Sequence, residues 1–177
     1  MRLSEADVAL LGRRAQRPTR APGELLAVFI ARRLKNPKNA GLGWQMKAWG
    51  RYKREWREAV GHALLEAGYR KGMIDPRAPK LVTFTATVAN ALDRDGLLLA
   101  CSPILDELKV GTVRDPGCGV IDDDRDSAGH EVRYQQVARR AAGTVYGVEI
   151  RIRLRAPAAT ENAVDTPTEN SVDSAPC

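Results

Sequence analysis

Residues 81–89, LVTFTATVA, alternate without a break: Val82, Phe84, Ala86 and Val88 fall on one side, and Thr83, Thr85 and Thr87 on the other. A period of two marks a strand with one buried face. A chain that holds such a strand has to cover its apolar side with another layer. Further on, Val148, Ile150, Ile152 and Leu154 alternate with Glu149, Arg151 and Arg153, which predicts a second strand of the same kind. The apolar run GELLAVFIARRL (23–34) has strand length, and HEVRYQQVARR (130–140) reads as a fourth strand.

The covering layer is predicted from a different period. Over residues 45–67, Trp49, Trp56, Ala59, Val60, Ala63, Leu64 and Ala67 recur at three- and four-residue steps, the stripe of an amphipathic helix, with Gly68 as its stop. Lys47, Arg51, Arg54, Glu58 and His62 lie off that stripe. This basic face suits either a phosphate-tracking surface or a solvated helix face. Residues 97–108 predict a second helix, with Pro103 in its first turn or marking a late start. The order strand, helix, strand, helix, strand, strand gives a mixed α/β (α+β) fold in which one sheet is packed by two main helices.

A chain of 177 residues is expected to form one domain. Three segments are predicted: a basic N-terminal arm over 1–22, the folded domain over 23–155, and a disordered acidic tail over 156–177. The formal net charge is +6, but residues 157–177 hold Glu161, Asp165, Glu169 and Asp173 with no Lys or Arg, so the rest carries +10. A body this basic favours a polyanionic partner, and nucleic acid is the commonest. No apolar run approaches the ~20 residues of a membrane span, and the N-terminal residues lack the apolar core of a secretory signal. Cys101, Cys118 and Cys177, with His62 and His130, show no zinc-ligand spacing, so free thiols and a cytoplasmic location are expected.

Aspartates gather in three places: Asp93 and Asp95 in LDRDG, Asp106 in PILDEL, and Asp122, Asp123, Asp124 and Asp126 in GVIDDDRDS. Such clusters suit turns and helix caps, and they equally suit a hard divalent cation that assists cleavage of a phosphodiester. If the strand persists to Asp93, period-two geometry puts the Asp93 and Asp95 carboxylates on one side, and the turn at 122–126 could supply a third. An EF-hand loop starting at Asp122 fails, because its sixth position is Ser127 and its twelfth Arg133. No P-loop, nucleophile elbow or HExxH motif is present.

In this order, LDRDGLLLACSPILDELK and GVIDDDRDS resemble the core motif of the RusA-type Holliday junction resolvases. That motif reads D-x-D-N, a lysine, D-x-L, and a glycine followed by a D-D pair. The upstream segment RRLKNPKNAGLGWQMKAWGRYKREWREAV resembles the family's Asn-bearing loop and basic, Trp-containing helix. The resemblance implies a Mg²⁺-dependent (or Mn²⁺-dependent) endonuclease that resolves four-way DNA junctions in recombination and repair, in a bacterial or phage-infected cell. It implies Asp93, Asp95 and Asp124 as catalytic metal ligands, Asp106 and Asp123 in support, and a homodimer making paired nicks. Lys47, Arg51, Arg54, Arg94 and Arg125 are the expected DNA contacts. Gly96 stands at the motif's Asn and Ser102 at its lysine, so the second expectation is a relative that binds junctions and cuts slowly or not at all.

Overall fold

The alternating run 81–89 lies at the heart of the sheet. A computed structural model describes residues 18–35, 46–113, 116–122 and 129–155. Almost all of the N-terminal arm, the acidic tail, Asp123, Asp124 and Arg125 lie outside those residues. In chain order the elements are β1 (Glu24–Ile30), α1 (Met46–Glu66), β2 (Lys80–Val88), α2 (Arg94–Leu108), β3 (Glu131–Ala138) and β4 (Gly147–Leu154). They build a four-stranded sheet ordered β1-β4-β2-β3 and packed by two helices, the α+β architecture expected. β4 is antiparallel to β1 and to β2, while β2 and β3 are parallel, so β1, β2 and β3 all point the same way.

One face of the sheet is dry. Val82, Phe84, Ala86 and Val88 of β2, Val148, Ile150 and Ile152 of β4, and Leu26, Val28 and Ile30 of β1 are buried beneath the helices. Leu154, expected to continue that row, is 55% exposed at the strand's end. Tyr134 of β3 stacks on Phe84, with ring centroids 5.3 Å apart. From α1 come Tyr52, Trp56, Val60 and Leu64, spaced four apart, and from α2 Leu97, Ala100, Cys101, Ile104, Leu105 and Leu108. Burying each of the large side chains stabilises the fold by roughly 1.5–3 kcal/mol. α1 stops in a Schellman turn: the Tyr69 N–H reaches the Leu64 carbonyl at 2.9 Å and the Gly68 N–H that of Leu65 at 3.0 Å, with Gly68 at φ 82°. No helix among the described residues is long and apolar enough to cross a membrane.

The other face is open and polar, carrying Thr83, Thr85, Arg133, Gln135, Arg151 and Arg153. Glu24 joins them through a bulge. It pairs with Arg153 while Leu26 pairs with Ile152, so Leu25 is the extra residue that turns Glu24 to this side. There both Glu24 oxygens accept from Arg151 at 3.0 Å. Burial pushes the Glu24 carboxyl up, but the Ala21 N–H and Arg151 outweigh it and hold the group below its ordinary value.

α2 departs from the sequence expectation. It begins at Arg94, three residues before the predicted start, and Pro103 lies in its interior. A proline there removes the N–H that would bond the Leu99 carbonyl four residues back. The Ser102 hydroxyl donates to that carbonyl instead, at 3.0 Å.

Candidate active site

The link from β2 to α2 places Asp93 and Asp95. β2 ends at Val88, and the end of β3 grips Val88, Ala89, Asn90 and Leu92. The Arg139 N–H donates to the Val88 carbonyl at 2.9 Å. The Arg140 guanidinium donates to the Ala89 carbonyl at 3.3 Å and to Asn90 Oδ1. The Gln136 amide accepts the Leu92 N–H at 2.9 Å and donates to the Leu92 carbonyl at 2.7 Å. Asp93 follows as the N-cap of α2: its Oδ1 accepts the Gly96 N–H at 3.0 Å, and its carbonyl accepts the Leu97 N–H at 2.9 Å.

One expectation is corrected here. The strand ends at Val88 and does not persist to Asp93, so Asp93 and Asp95 are related by a helix start, cap and first turn, instead of by strand alternation. Both are exposed. Gly96, at the motif's Asn, is buried and supplies the N–H that the cap uses.

The same edge of the sheet collects arginines. β1 and β3 run on into Ala-Arg-Arg, residues 31–33 and 138–140, and the strands are parallel, so both pairs emerge at the end of the sheet where α2 starts. Arg32 is paired with Glu55 and lies 6.0 Å from the Trp56 ring centroid. Arg33 lies over Tyr146 at 5.4 Å. Arg33, Arg94, Arg139 and Arg140 are exposed, and none takes part in an ion pair among the described residues.

α1 contributes to this edge through its direction. The Tyr52 hydroxyl donates to the Ala100 carbonyl at 3.1 Å, and Arg57 lies 3.8 Å from Glu107. The contacts advance together along both helices, so α1 and α2 run parallel with their N-termini at one end. Arg51 and Arg54 are exposed on α1, whereas the Lys47 side chain lies outside the described residues. Arg33, Arg139, Arg140 and the clamping Gln136 were missed from sequence. The repeated Ala-Arg-Arg at two strand ends was the available signal, and it acquires meaning only once β1 and β3 are known to be parallel.

Of the remaining aspartates in these clusters, the described Asp106 and Asp122 do not join Asp93 and Asp95. Asp106 is in the last turn of α2, where it accepts from Lys109 at 3.1 Å. Asp122 is fixed at the opposite end of the sheet: its N–H donates to the Pro76 carbonyl at 3.1 Å, and its Oδ1 lies 2.8 Å from His130 Nε2. The other His130 nitrogen accepts the Lys80 N–H at 3.2 Å, so the ring proton sits on Nε2 and is donated to Asp122. Lys80, fully buried, donates its ammonium to the carbonyls of Asp75, Pro76 and Ala78, at 2.5, 3.2 and 2.7 Å. The length of α2, 15 residues or ~22 Å, separates the two ends. Asp123, Asp124 and Arg125, the other expected site residues, lie outside the described residues.

Among the described residues no three His, Cys, Asp or Glu side chains come together in a way that could hold a metal. Two exposed carboxylates within one turn still meet the usual protein share of a Mg²⁺ site, which is one or two carboxylates completed by water and substrate phosphate. Burial pushes the Cys101 and Cys118 thiols up to about 12, with the Glu107 carboxylate adding to the effect at Cys118. The chain matches no family model, no curated protein and no solved structure.

Proposed function

We propose that the protein is a Mg²⁺-dependent endodeoxyribonuclease of the RusA type, acting on branched DNA. The observation that carries this reading is the joint placement of Asp93 and Asp95 in the opening turn of α2, at the edge where exposed arginines that form no ion pair among the described residues collect. Ligand sites in α/β sheets favour this position, outside the carboxyl ends of parallel strands. Asp93 and Asp95 would hold the ion, and Mn²⁺ could replace it. Bound there, the metal supplies polarisation of the phosphodiester and a water acidified for attack.

The chain's own residues do the rest. The clamp from Gln136, Arg139 and Arg140 fixes the β2–α2 link, so the two carboxylates are held in place before substrate arrives. Arg94, between them in sequence, and the positive end of α2 draw a phosphate towards them. A homodimer with this site on each protomer would meet the two equivalent strands of a four-way junction.

A second reading, binding of junctions without efficient cutting, is favoured by Ser102. That residue stands where the motif has its lysine, and its hydroxyl is occupied by the Leu99 carbonyl. A labelled synthetic four-way junction with Mg²⁺ separates the readings. Cleavage by the wild type that Asp93→Asn and Asp95→Asn both abolish supports the nuclease, whereas cleavage unaffected by both removes the assigned site. Tight, salt-sensitive binding without cleavage selects the second reading.

A further inference from the structure

We infer that the two Ala-Arg-Arg pairs form a two-point grip on the phosphodiester backbone of DNA, with Arg33 and Arg139/Arg140 as its contacts. The inference rests on the nucleic-acid reading of the Asp93–Asp95 edge and assigns the residues that hold the substrate there. In the sheet order β1-β4-β2-β3, the pairs end the two outermost strands, and the strand leading to Asp93 lies between them. Three interstrand spacings put the two points ~14 Å apart, so they engage different phosphates on either side of the carboxylates.

The side chains are prepared for an anion. Arg140 spends guanidinium N–H groups on the Ala89 carbonyl and Asn90 Oδ1, both neutral acceptors, so it is oriented without being neutralised. Of the five N–H donors of a guanidinium, the others stay available for a phosphate fork. Arg33 is braced against the Tyr146 ring at 5.4 Å, again with no carboxylate partner among the described residues. Arg139 is anchored through its backbone N–H to Val88, which leaves its exposed side chain to reach outward. By contrast, Arg133, Arg151 and Arg155, on or beside the open face, are paired with glutamates. Among the described residues Arg153 is the one open-face arginine outside these pairs, so the unpaired charge available to a polyanion gathers mainly at the edge.

The test measures binding of a synthetic four-way DNA junction, with Ca²⁺ in place of Mg²⁺, across a salt series. Arg33→Gln combined with Arg139→Gln should lower the slope of log K against log salt by about 2, one for each phosphate that the variant leaves unneutralised. Thermal stability should not change. Arg140→Gln should lower the slope by about 1 and Arg140→Lys should restore it, a rescue that a purely structural role for Arg140 would not give. If the wild type binds with a steep slope and the Gln variants bind identically, the grip is wrong while the nuclease reading stands. If the wild type neither binds nor cuts DNA, that reading fails and the grip with it.

Discussion

The side-chain amide of Gln136 satisfies both backbone groups of Leu92, donating to its carbonyl at 2.7 Å and accepting its N–H at 2.9 Å. An edge strand thereby fixes where α2 starts. Gln136→Leu keeps the bulk and deletes both bonds, leaving two half-buried backbone groups to find water. The expected loss is about 1–3 kcal/mol in urea unfolding. A loss within error would show that water replaces the clamp at no cost.

Asp93 has a structural task and a proposed chemical one, and two substitutions separate them. Asn caps a helix as well as Asp does, so Asp93→Asn should leave stability nearly unchanged while removing any rise in melting temperature with millimolar Mg²⁺. Asp93→Ala should lose the metal response and, in addition, about 1 kcal/mol of stability. Calorimetry with and without metal gives both numbers, and an intact metal response in Asp93→Asn would remove Asp93 from the site.

Ser102 and Pro103 should be energetically coupled. Ser102→Ala orphans the Leu99 carbonyl and should cost roughly 0.5–1.5 kcal/mol. In a Pro103→Ala background the new N–H reaches the same carbonyl, so the cost of Ser102→Ala should fall towards zero. A double-mutant cycle in urea measures the difference. Additivity would mean that the hydroxyl does not compensate for the proline.

Glu24 should make stability sensitive to acid. Its carboxyl is held below the ordinary value of 4.5 in the folded chain, so its contribution is complete above that value and is lost as pH falls through the folded one. The stability gap between wild type and Glu24→Gln should therefore be constant near neutrality, shrink below pH 4.5 and vanish in stronger acid. A gap independent of pH would show that the Arg151 contact carries no net charge effect.

The strands and their faces were legible because period two survives wherever one side is buried, as at Val82, Phe84 and Ala86. Helix α1 was legible for the same kind of reason, although Tyr52 was left out of its stripe. The start of α2 was hidden by Pro103, which ordinarily marks a helix's first turn and here sits in its interior with a serine in compensation. Asp93 lacks the Glu or Gln three residues on that completes a capping box, having Gly96 instead. Pairing is non-local, so the sequence could not show that β3 runs parallel to β2. That single fact sends Asp122 to one end of the sheet and Asp93 to the other.

Among the described residues, the last strand in chain order is an inner strand of the sheet. There β1 pairs with β4 alone, so residues 24–30 have no described ladder to join until residues 147–154 have been synthesised. During translation the apolar segment Leu26–Ile30 leaves the ribosome more than a hundred residues before its partner and stays exposed to chaperones and to other chains in the interval. Closure of the sheet then has to bring together sequence-distant strands, which favours slow folding and aggregation of interrupted chains. Nascent chains halted before β4 should be found bound to chaperones, and addition of the final strand should release them.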